Sequence, residues 1–419
     1  MTKKEIIDAA FKVWGREFYL NTSLSHVAAE LKVCKPALYR HFISKQNLLE
    51  AMTRHFFDDF ASFIQEDYKK ALIMDDYGES MFIVIRSVAE YYARNVNIFI
   101  FSMIKLHDNQ LDSFNIVEEL CIRGVDLGFL GNLAKKNFVF EPPILKLIFA
   151  TLTFFMSGFH KTRKSLTNPP GEKEIYEIIR IIDEITGKGL GYTKEEIFKM
   201  DFEKLENRIA GTIDAIEDNP LLKAVAEAVA QAGPWEASME QVARISGLSK
   251  SSLYCHFKSR QDMLYRLFMT ESLRIINFSR QAMQQSLAPL EQLYLGIYSI
   301  AEYLRSKPDI LVALDWLRNR RLELNPPDKK PGFPPAEFRQ VFNDIKIEIL
   351  HSGKSPFRGM FSDDEDSSGF SLWVLFLIVN TLMRKEQGQA LGNVPNSDIR
   401  CLFKFLTMGI GGFKNQLPC

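Results

Sequence analysis

The chain has 419 residues, of which 46% are hydrophobic and 12% aromatic, and its 52 Lys and Arg residues balance 52 Asp and Glu residues. This composition excludes an intrinsically disordered chain, and the zero net charge excludes a protein that coats nucleic acid through its overall charge. The length allows roughly two to four domains.

Helical periodicity runs along almost the whole sequence, and no segment shows the alternation typical of a strand. The first segment has one apolar face, formed by Ile6, Ile7, Ala10, Phe11 and Trp14. The same spacing recurs in later segments, and clusters of Gly, Pro and Asn separate them. We therefore predict an all-α protein.

Cysteine usage and apolar runs bear on compartment and chemistry. The five cysteines are scattered and form no CxxC motif, and no apolar signal core follows Met1. The longest apolar run, Leu372 to Val379, is far shorter than the roughly 18–20 residues of a membrane span, so it predicts a buried helix. These features favour a cytoplasmic protein without membrane contact, and no pattern predicts a metal site, a cofactor or a catalytic centre.

An internal repeat decides the organisation. The segment from Val27 to Leu49 aligns without a gap with the segment from Val242 to Leu264, at a constant separation of 215 residues. Solenoid repeats are much shorter, at about 20–50 residues. The repeat therefore predicts two copies of one protein fused in tandem.

The repeat divides the chain into two heads, two helical bodies and a connection. We predict a head at residues 1–60 and a body at 61–190 in copy one, a helical linker at 191–217, and a head at 218–275 and a body at 276–419 in copy two. The linker is charged and helix-favouring, and one continuous helix from Thr193 to Ile216 would be about 35 Å long.

Each head opens with three short helical patterns. They cover residues 3–18, 24–32 and 35–42 in copy one, and residues 221–232, 239–246 and 250–257 in copy two. Ser23 and Ser238 occupy the N-cap positions of the second helices, and Gln241 completes a capping box with Ser238. This arrangement is helix-turn-helix geometry with the third helix facing outward.

The same residues resemble a known family. A Val-Ala pair, a Tyr-x-His-Phe block and a following Ser-Lys or Ser-Arg with Leu occur in both copies, in one register. In this respect each head resembles the DNA-binding domain of TetR/AcrR-type transcriptional regulators. The resemblance covers about the first 60 residues of each copy, and the bodies share only length and helicity with the family.

The resemblance implies which residues contact DNA, since in this family the third helix enters the major groove. The implied phosphate contacts are Lys35, Tyr39, His41 and Lys45 in copy one, and Lys250, Tyr254, His256 and Arg260 in copy two. The implied base contacts are Pro36, Ala37 and Arg40, and Ser251 and Ser252. The capping serines Ser23 and Ser238 complete the candidate DNA-binding residues. Between Lys3 and Arg54, nine basic residues exceed five acidic ones, which supplies a local basic patch.

Three departures from the family pattern distinguish the two heads. Lys32 replaces the usual turn glycine and Cys34 replaces a common capping serine in copy one, whereas Cys255 lies on the DNA-facing side in copy two. The two heads are therefore expected to read different half-sites, or copy two to bind weakly.

The family's bodies bind an effector and form dimers, which implies two further sets of residues. Aromatic and Met side chains are candidates for an apolar effector pocket, with ordinary core packing as the alternative: Phe99, Phe101, Met103, Phe154, Phe155, Met156 and Phe159, then Trp316, Trp373, Phe376 and Met383. Four helices, at about 143–164, 173–186, 370–385 and 397–408, are expected to form an intramolecular pseudo-dimer, with the alternative that each pair packs only within its own copy. A further homodimer stays open.

The resemblance implies a sequence-specific DNA-binding regulator whose partners are operator DNA and an unidentified small effector. Repression relieved by the effector is the expected activity. The alternative is a ligand-binding or protein-interaction module in which one or both DNA-binding heads have degenerated. No residue constellation supports an enzyme.

Overall fold

The computed structural model describes residues 1–16, 23–106, 116–129, 143–162, 170–210, 219–233, 236–320, 340–342, 345–347, 368–383 and 391–413. Regular structure in these ranges is helical and none of their residues lies in a strand, which confirms the all-α prediction. The chain forms two compact units: Met1–Val139 with Arg163–Asp183, and Phe140–Thr162 with Glu184–Cys419. The domain boundaries inferred from the repeat stay predictions.

The first unit is built from helices that follow the amphipathic pattern of the sequence. They are α1 Lys3–Arg16, α2 Leu24–Glu30, α3 Lys35–Tyr39, α4 Lys45–Leu72, α5 Tyr77–Arg94, α6 Val96–Leu106 and α7 Ile116–Ile122. The first three pack as a head, with α1 also against α4 and α6, and the long helices α4 and α5 pack along each other. Ile6, Val27 and Leu38 are buried where the three short helices meet.

The second unit takes helices from both halves of the sequence. They are α8 Pro143–Thr162, the end of α9 Glu172–Lys188, α10 Lys194–Phe198, α11 Phe202–Ile209, α12 Pro220–Ala232, α13 Met239–Ser246, α14 Lys250–His256, α15 Arg260–Met283, α16 Pro289–Ser306, α17 Pro308–Arg320, α18 Ser368–Leu382, α19 Asn396–Met408 and a 3₁₀ turn Ile410–Phe413. The head of copy two is α12 to α14, and α12 also packs against α15 and α17. The apolar run from Leu372 lies within α18, where Trp373 and Leu377 are fully buried as predicted.

Helix α8 belongs to copy one in sequence but packs inside the second unit. It lies against α18 and α19 of copy two. The Trp373 indole Nε1 donates a hydrogen bond to the Thr151 hydroxyl at 3.2 Å, and both residues are buried. Copy one and copy two therefore both contribute side chains to the core of the second unit.

The caps of the second head helices differ from the prediction. The Ser238 hydroxyl accepts a hydrogen bond from the Gln241 backbone N–H at 3.2 Å, but the Gln241 side chain donates to Gln231 Oε1 instead of completing a capping box. Ser23 occupies the N-cap of α2 without a side-chain hydrogen bond to the helix. The predicted capping box is therefore only half formed, and the Gln241 side chain is turned toward Gln231 on the neighbouring helix.

The turns between the second and third helices share one backbone conformation. Gly247 has φ 70°, and Lys32, the matching residue of copy one, has φ 56°. The left-handed conformation costs a residue with a Cβ roughly 1–2 kcal/mol, a cost that glycine avoids. The exposed Lys32 is thus strained by the fold of its own turn.

The linker is two helices rather than the single helix predicted from its composition. Thr193 forms a capping box with Glu196 at the start of α10, and the Asp201 carboxylate accepts from the Lys204 N–H at 3.0 Å at the start of α11. Asp201 therefore starts a new helix and interrupts the first. The rest of the predicted linker helix lies outside the described residues.

Helix α11 is anchored through a buried carboxylate, Glu206. Both oxygens of Glu206 accept hydrogen bonds from Arg400, at 2.7 and 2.8 Å. The Tyr294 hydroxyl and the Asn396 amide donate two more, at 2.5 and 2.9 Å. Burial alone would raise the pKa of Glu206, but these donors outweigh it and the pKa lies below its ordinary value. The linker is thereby fixed to α16 and α19.

Replacing Glu206 with Gln should destabilise the second unit by about 2–4 kcal/mol, because it removes the charge that satisfies Arg400. Since folding lowers the pKa of Glu206, its contribution is present above its unfolded pKa, about 4.5, and is lost as the pH falls through the folded pKa. The deficit of the variant should therefore shrink in acid. Urea unfolding followed by circular dichroism at pH 7 and pH 3.5 measures both effects. Glu203→Gln, on the exposed face of the same helix, is the control, and equal losses in both variants would contradict the anchor.

Replacing Lys32 with Gly should stabilise the first unit by about 0.5–1 kcal/mol, since the relieved strain exceeds the entropic cost of glycine. The thermal unfolding midpoint should rise by a few degrees. Lys32→Ala removes the same side chain but keeps a Cβ in the strained conformation, so it should give no gain. A rise of the same size in Lys32→Ala would show that the lysine charge, not the backbone, is responsible.

Candidate nucleic-acid interface

The third helix of copy one presents a polar face around a buried anchor. Leu38 is completely buried beneath α3, whereas Lys35, Pro36, Tyr39 and Arg40 are exposed. The Tyr39 side chain is 44% exposed, and the Lys35 Nζ lies 5.8 Å from the centroid of its ring. A cation and a phenol side by side on an exposed helix suit contact with a phosphate backbone.

The remaining candidates of copy one lie at the edge of this face. Ala37 and His41 are half-buried, and Ser23 is exposed at the start of α2. Lys45 occupies the first turn of α4, directly after the Ser44 cap, and its partial burial lowers the pKa of the ammonium group. The structure thus groups the strongest cationic and aromatic candidates on and next to α3.

The third helix of copy two repeats the anchor and the exposed face. Leu253 is completely buried, while Ser251, Tyr254 and His256 are exposed, Tyr254 by 53%. Cys255, which matches Arg40, is exposed and its thiol lies 3.7 Å from the carbonyl oxygen of Ser251. This face therefore has the same shape with one cation fewer.

Lys250 of copy two is held in an ion pair within its own head. Its Nζ lies 2.5 Å from the Glu240 carboxylate in the first turn of α13. This contact raises the pKa of Lys250 and lowers the pKa of Glu240. The matching residue of copy one is Ser25, so Lys35 has no such carboxylate at that position. Part of the positive charge of the copy-two face is therefore compensated locally.

Three other candidates of copy two also have partners inside the head. The Ser252 hydroxyl lies 2.9 Å from the hydroxyl of Ser249, the residue that caps α14. Arg260 Nε donates a hydrogen bond to the Ala237 carbonyl at 3.0 Å. Ser238 caps α13 and is half-buried. These interactions position the helices, and the exposed candidates of this head are Ser251, Tyr254, His256 and the ion-paired Lys250.

Comparison with known families identifies the two heads. The family model of bacterial regulatory proteins of the tetR family matches residues 6–52 and again residues 221–267. The chain contains two tandem TetR-type units. The TetR-type match begins in α1 and α12 and ends within α4 and α15, and it therefore spans both candidate faces. A search of curated proteins finds no match to the chain.

The TetR-type heads belong to a family of DNA-binding helix-turn-helix regulators. In helix-turn-helix proteins the second helix of the motif enters the major groove, and α3 and α14 occupy that place in the two heads. In the part of the chain that the structure describes, no helix combines the length and apolarity needed to cross a membrane.

The candidate effector residues of the first unit lie in its core. The Phe101 ring is 5.1 Å from Phe11 and stacks parallel to Trp14 at 5.7 Å, so it joins α6 to α1. Phe99 is fully buried with its ring 5.3 Å from Tyr92, and Met103 is half-buried. These contacts account for the positions of Phe99 and Phe101 without a ligand.

The candidate effector residues of the two copies come together in the second unit. Phe155 lies 6.0 Å from Trp373, and Phe154 lies 5.6 Å from Phe376, measured between ring centroids. Phe159 is half-buried beside His160. The Trp316 side chain lies outside the described residues. The sequence offered these residues as two separate sets, whereas α8 brings part of the first set against α18.

Replacing Glu240 with Ser should strengthen DNA binding by copy two, because Lys250 would lose its competing carboxylate. The expected gain at low salt is about threefold to tenfold, with a steeper dependence of affinity on salt. Fluorescence anisotropy with a duplex of mixed sequence measures both. Glu236→Ser changes the net charge equally from an exposed position outside the helix. If Glu236→Ser gives the same gain, overall charge rather than the ion pair is the cause.

Proposed function

We propose that the chain is a ligand-responsive transcriptional repressor whose two unlike heads read an asymmetric operator. The observation that carries the proposal is the presence of two TetR-type heads with exposed third helices in one chain. In a homodimer both heads are identical and favour a palindrome. Fusion removes that restriction, since each head can change alone.

The side chains of the two faces support different half-sites. Arg40 can donate two hydrogen bonds to one guanine, whereas Cys255 at the matching position has only a weak thiol donor. Pro36 offers no hydroxyl, whereas Ser251 does. We therefore assign the stronger base recognition to copy one and looser recognition to copy two.

An intramolecular pseudo-dimer would carry the two heads. Its support comes from the second unit, where α8 of copy one packs with α18 and α19 of copy two. The Leu190 N–H also donates to the Leu406 carbonyl at 2.9 Å, beside Gly189, where a Cβ would lie 2.5 Å from that oxygen. Half-sites one DNA turn apart would require heads spaced about 34–36 Å.

Release from the operator is assigned to a small apolar effector bound by the helical bodies, as the resemblance implies. The aromatic cluster of Phe154, Phe155, Trp373 and Phe376 is the candidate region. A difference of about 3 kcal/mol in effector affinity between DNA-bound and free states would weaken DNA binding roughly 150-fold.

A second candidate function is favoured by the internal ion pair of copy two. If the Lys250–Glu240 contact persists near DNA, the second head is degenerate and the chain is a one-headed DNA binder or a ligand-binding module. Cys255 in place of an arginine favours the same outcome. The two functions differ in whether the second half-site is selected.

Selection of bound sequences from a random duplex pool, with the full chain at a stated salt concentration, tests the proposal. Two unlike half-sites are expected. Tyr39→Ala should lose enrichment of one half-site and Tyr254→Ala of the other, each with about tenfold or greater loss of affinity. Tyr176→Ala, at a tyrosine that is 69% exposed on α9, is the matched control and should change neither.

Enrichment of a single half-site, insensitive to Tyr254→Ala, would favour the degenerate second head. No enrichment at any salt concentration would reject operator binding.

A further inference from the structure

The second unit contains a cavity of about 290 Å³ where its head meets its body. The cavity lies between α12, the first helix of the head, and the body helices α15 and α17. Its walls are formed by Asn219, Leu222, Lys223, Ala226, Glu271, Arg274, Ser306, Lys307, Pro308, Asp309 and Ile310. This volume is at the lower end of the range for ligand pockets, so it suits a small molecule.

The same junction is filled with aromatic rings in copy one. The Phe101 ring on α6 lies 5.1 Å from Phe11 on α1 and 6.5 Å from Phe56 on α4. At the shift of 215 residues, Phe11 and Phe56 match Ala226 and Glu271. Both replacements line the cavity. The cavity therefore lies where copy two has Ala226 and Glu271 in place of the aromatic side chains that fill this junction in copy one.

A third aromatic ring is missing as well. Counted from the first residues of α6 and α17, Phe101 matches Ala313, which is fully buried. Loss of large side chains in a core normally costs several kcal/mol per site unless something else occupies the space. The smaller residues of copy two thus leave room at a junction that aromatic rings fill in copy one.

The walls of the cavity carry three cationic and two acidic side chains. Glu271 is buried and accepts hydrogen bonds from Arg274 at 2.8 Å and from the Tyr303 hydroxyl at 2.6 Å. The Lys307 Nζ lies 3.9 Å from the same carboxylate. One carboxylate therefore fixes two cations at the wall, and the local charge is positive.

The opposite wall adds a charge that copy one does not have. Lys223 on α12 matches Asp8 of copy one, so the sign of this position is reversed between the copies. The other acidic group of the cavity is Asp309 in the first turn of α17. Three cations and two carboxylates thus line the cavity, and Glu227, one turn along α12 from Lys223, acts on Asp309 from beside it. Leu222, Ala226 and Ile310 supply an apolar surface beside these charges.

We propose that this cavity binds a small organic monoanion, a carboxylate whose charge lies among Lys223, Arg274 and Lys307 and whose apolar end lies on Leu222, Ala226 and Ile310. The three cationic side chains favour an anion, and the apolar wall favours an organic acid over inorganic ions. This site is separate from the aromatic cluster assigned to the effector.

The location of the cavity between the head and the body connects ligand binding there to DNA binding. Helix α12 packs on α13 inside the head and on α15 and α17 in the body. A ligand between α12 and the body stabilises the head arrangement in which it fits best. This coupling rests on the proposed function, whereas binding of the anion does not.

Isothermal titration of the full chain with sodium butyrate and sodium benzoate tests the site. Saturable binding is expected for at least one of these acids, and butyramide and benzamide, which have similar shapes without the charge, should not bind. Lys223→Asp should weaken binding at least about tenfold, or 1.4 kcal/mol. Ala226→Phe should abolish it by restoring the ring that copy one has. Lys204→Asp, an exposed lysine of the linker, is the control and should bind as the unchanged chain does.

Several results would overturn the assignment. The first is equal binding of acids and amides, and the second is an unchanged affinity in both Lys223→Asp and Ala226→Phe. The third is the absence of saturable binding of either acid at about 10 mM, a concentration on the order of the dissociation constants of the weakest specific complexes. Lys223 is exposed, so its variant should fold even if Ala226→Phe does not.

The coupling has its own test. Whichever of butyrate and benzoate binds should change the affinity of copy two for its selected half-site and leave Ala226→Phe unaffected. Acid binding without such a change would overturn the coupling. If no half-site is selected, the titration still shows whether the cavity binds the acid.

Discussion

The position of the third helix in each head depends on the burial of one leucine. Helix α3 has 5 residues and α14 has 7, whereas isolated helices shorter than about 12–15 residues are barely stable in water. Leu38 and Leu253 are completely buried, and Phe42 and Phe257, about one turn further along the chain, are buried as well. This anchoring turns Tyr39 and Tyr254 toward solvent, so the exposed face is a consequence of the core beneath it.

The two heads share this arrangement but differ in the partner of the lysine that begins the third helix. In copy one the Lys35 ammonium group lies near the Tyr39 ring, whereas in copy two Lys250 pairs with Glu240. The change at the head–body junction is larger, because apolar rings gave way to the Glu271 network and a cavity. The surface of the second head is thereby partly neutralised, and a cavity lies where this head joins its body.

The heads could be predicted from sequence because their determinants are local. The short helices and the buried Leu38 follow from residue spacing over a few turns, and the repeat supplies a second independent reading. Glu206 gave no comparable signal, because its partner Arg400 is 194 residues away and a charged linker residue is normally exposed. The contact of Thr151 with Trp373 spans 222 residues for the same reason. The sequence could have indicated the Glu240–Lys250 pair, because Glu240 stands where copy one has Ser25.

Covalent fusion also changes how recognition depends on protein concentration. A regulator assembled from separate subunits loses its paired heads when it is diluted below its dissociation constant, whereas here both heads are parts of one chain. Two sites on one chain meet at an effective concentration of the order of millimolar when the connection allows both to engage. Occupancy of a two-part operator would then rise in proportion to the number of chains rather than to its square. At concentrations where a dissociating dimer would separate into single subunits, the fused chain would still present both heads to the operator.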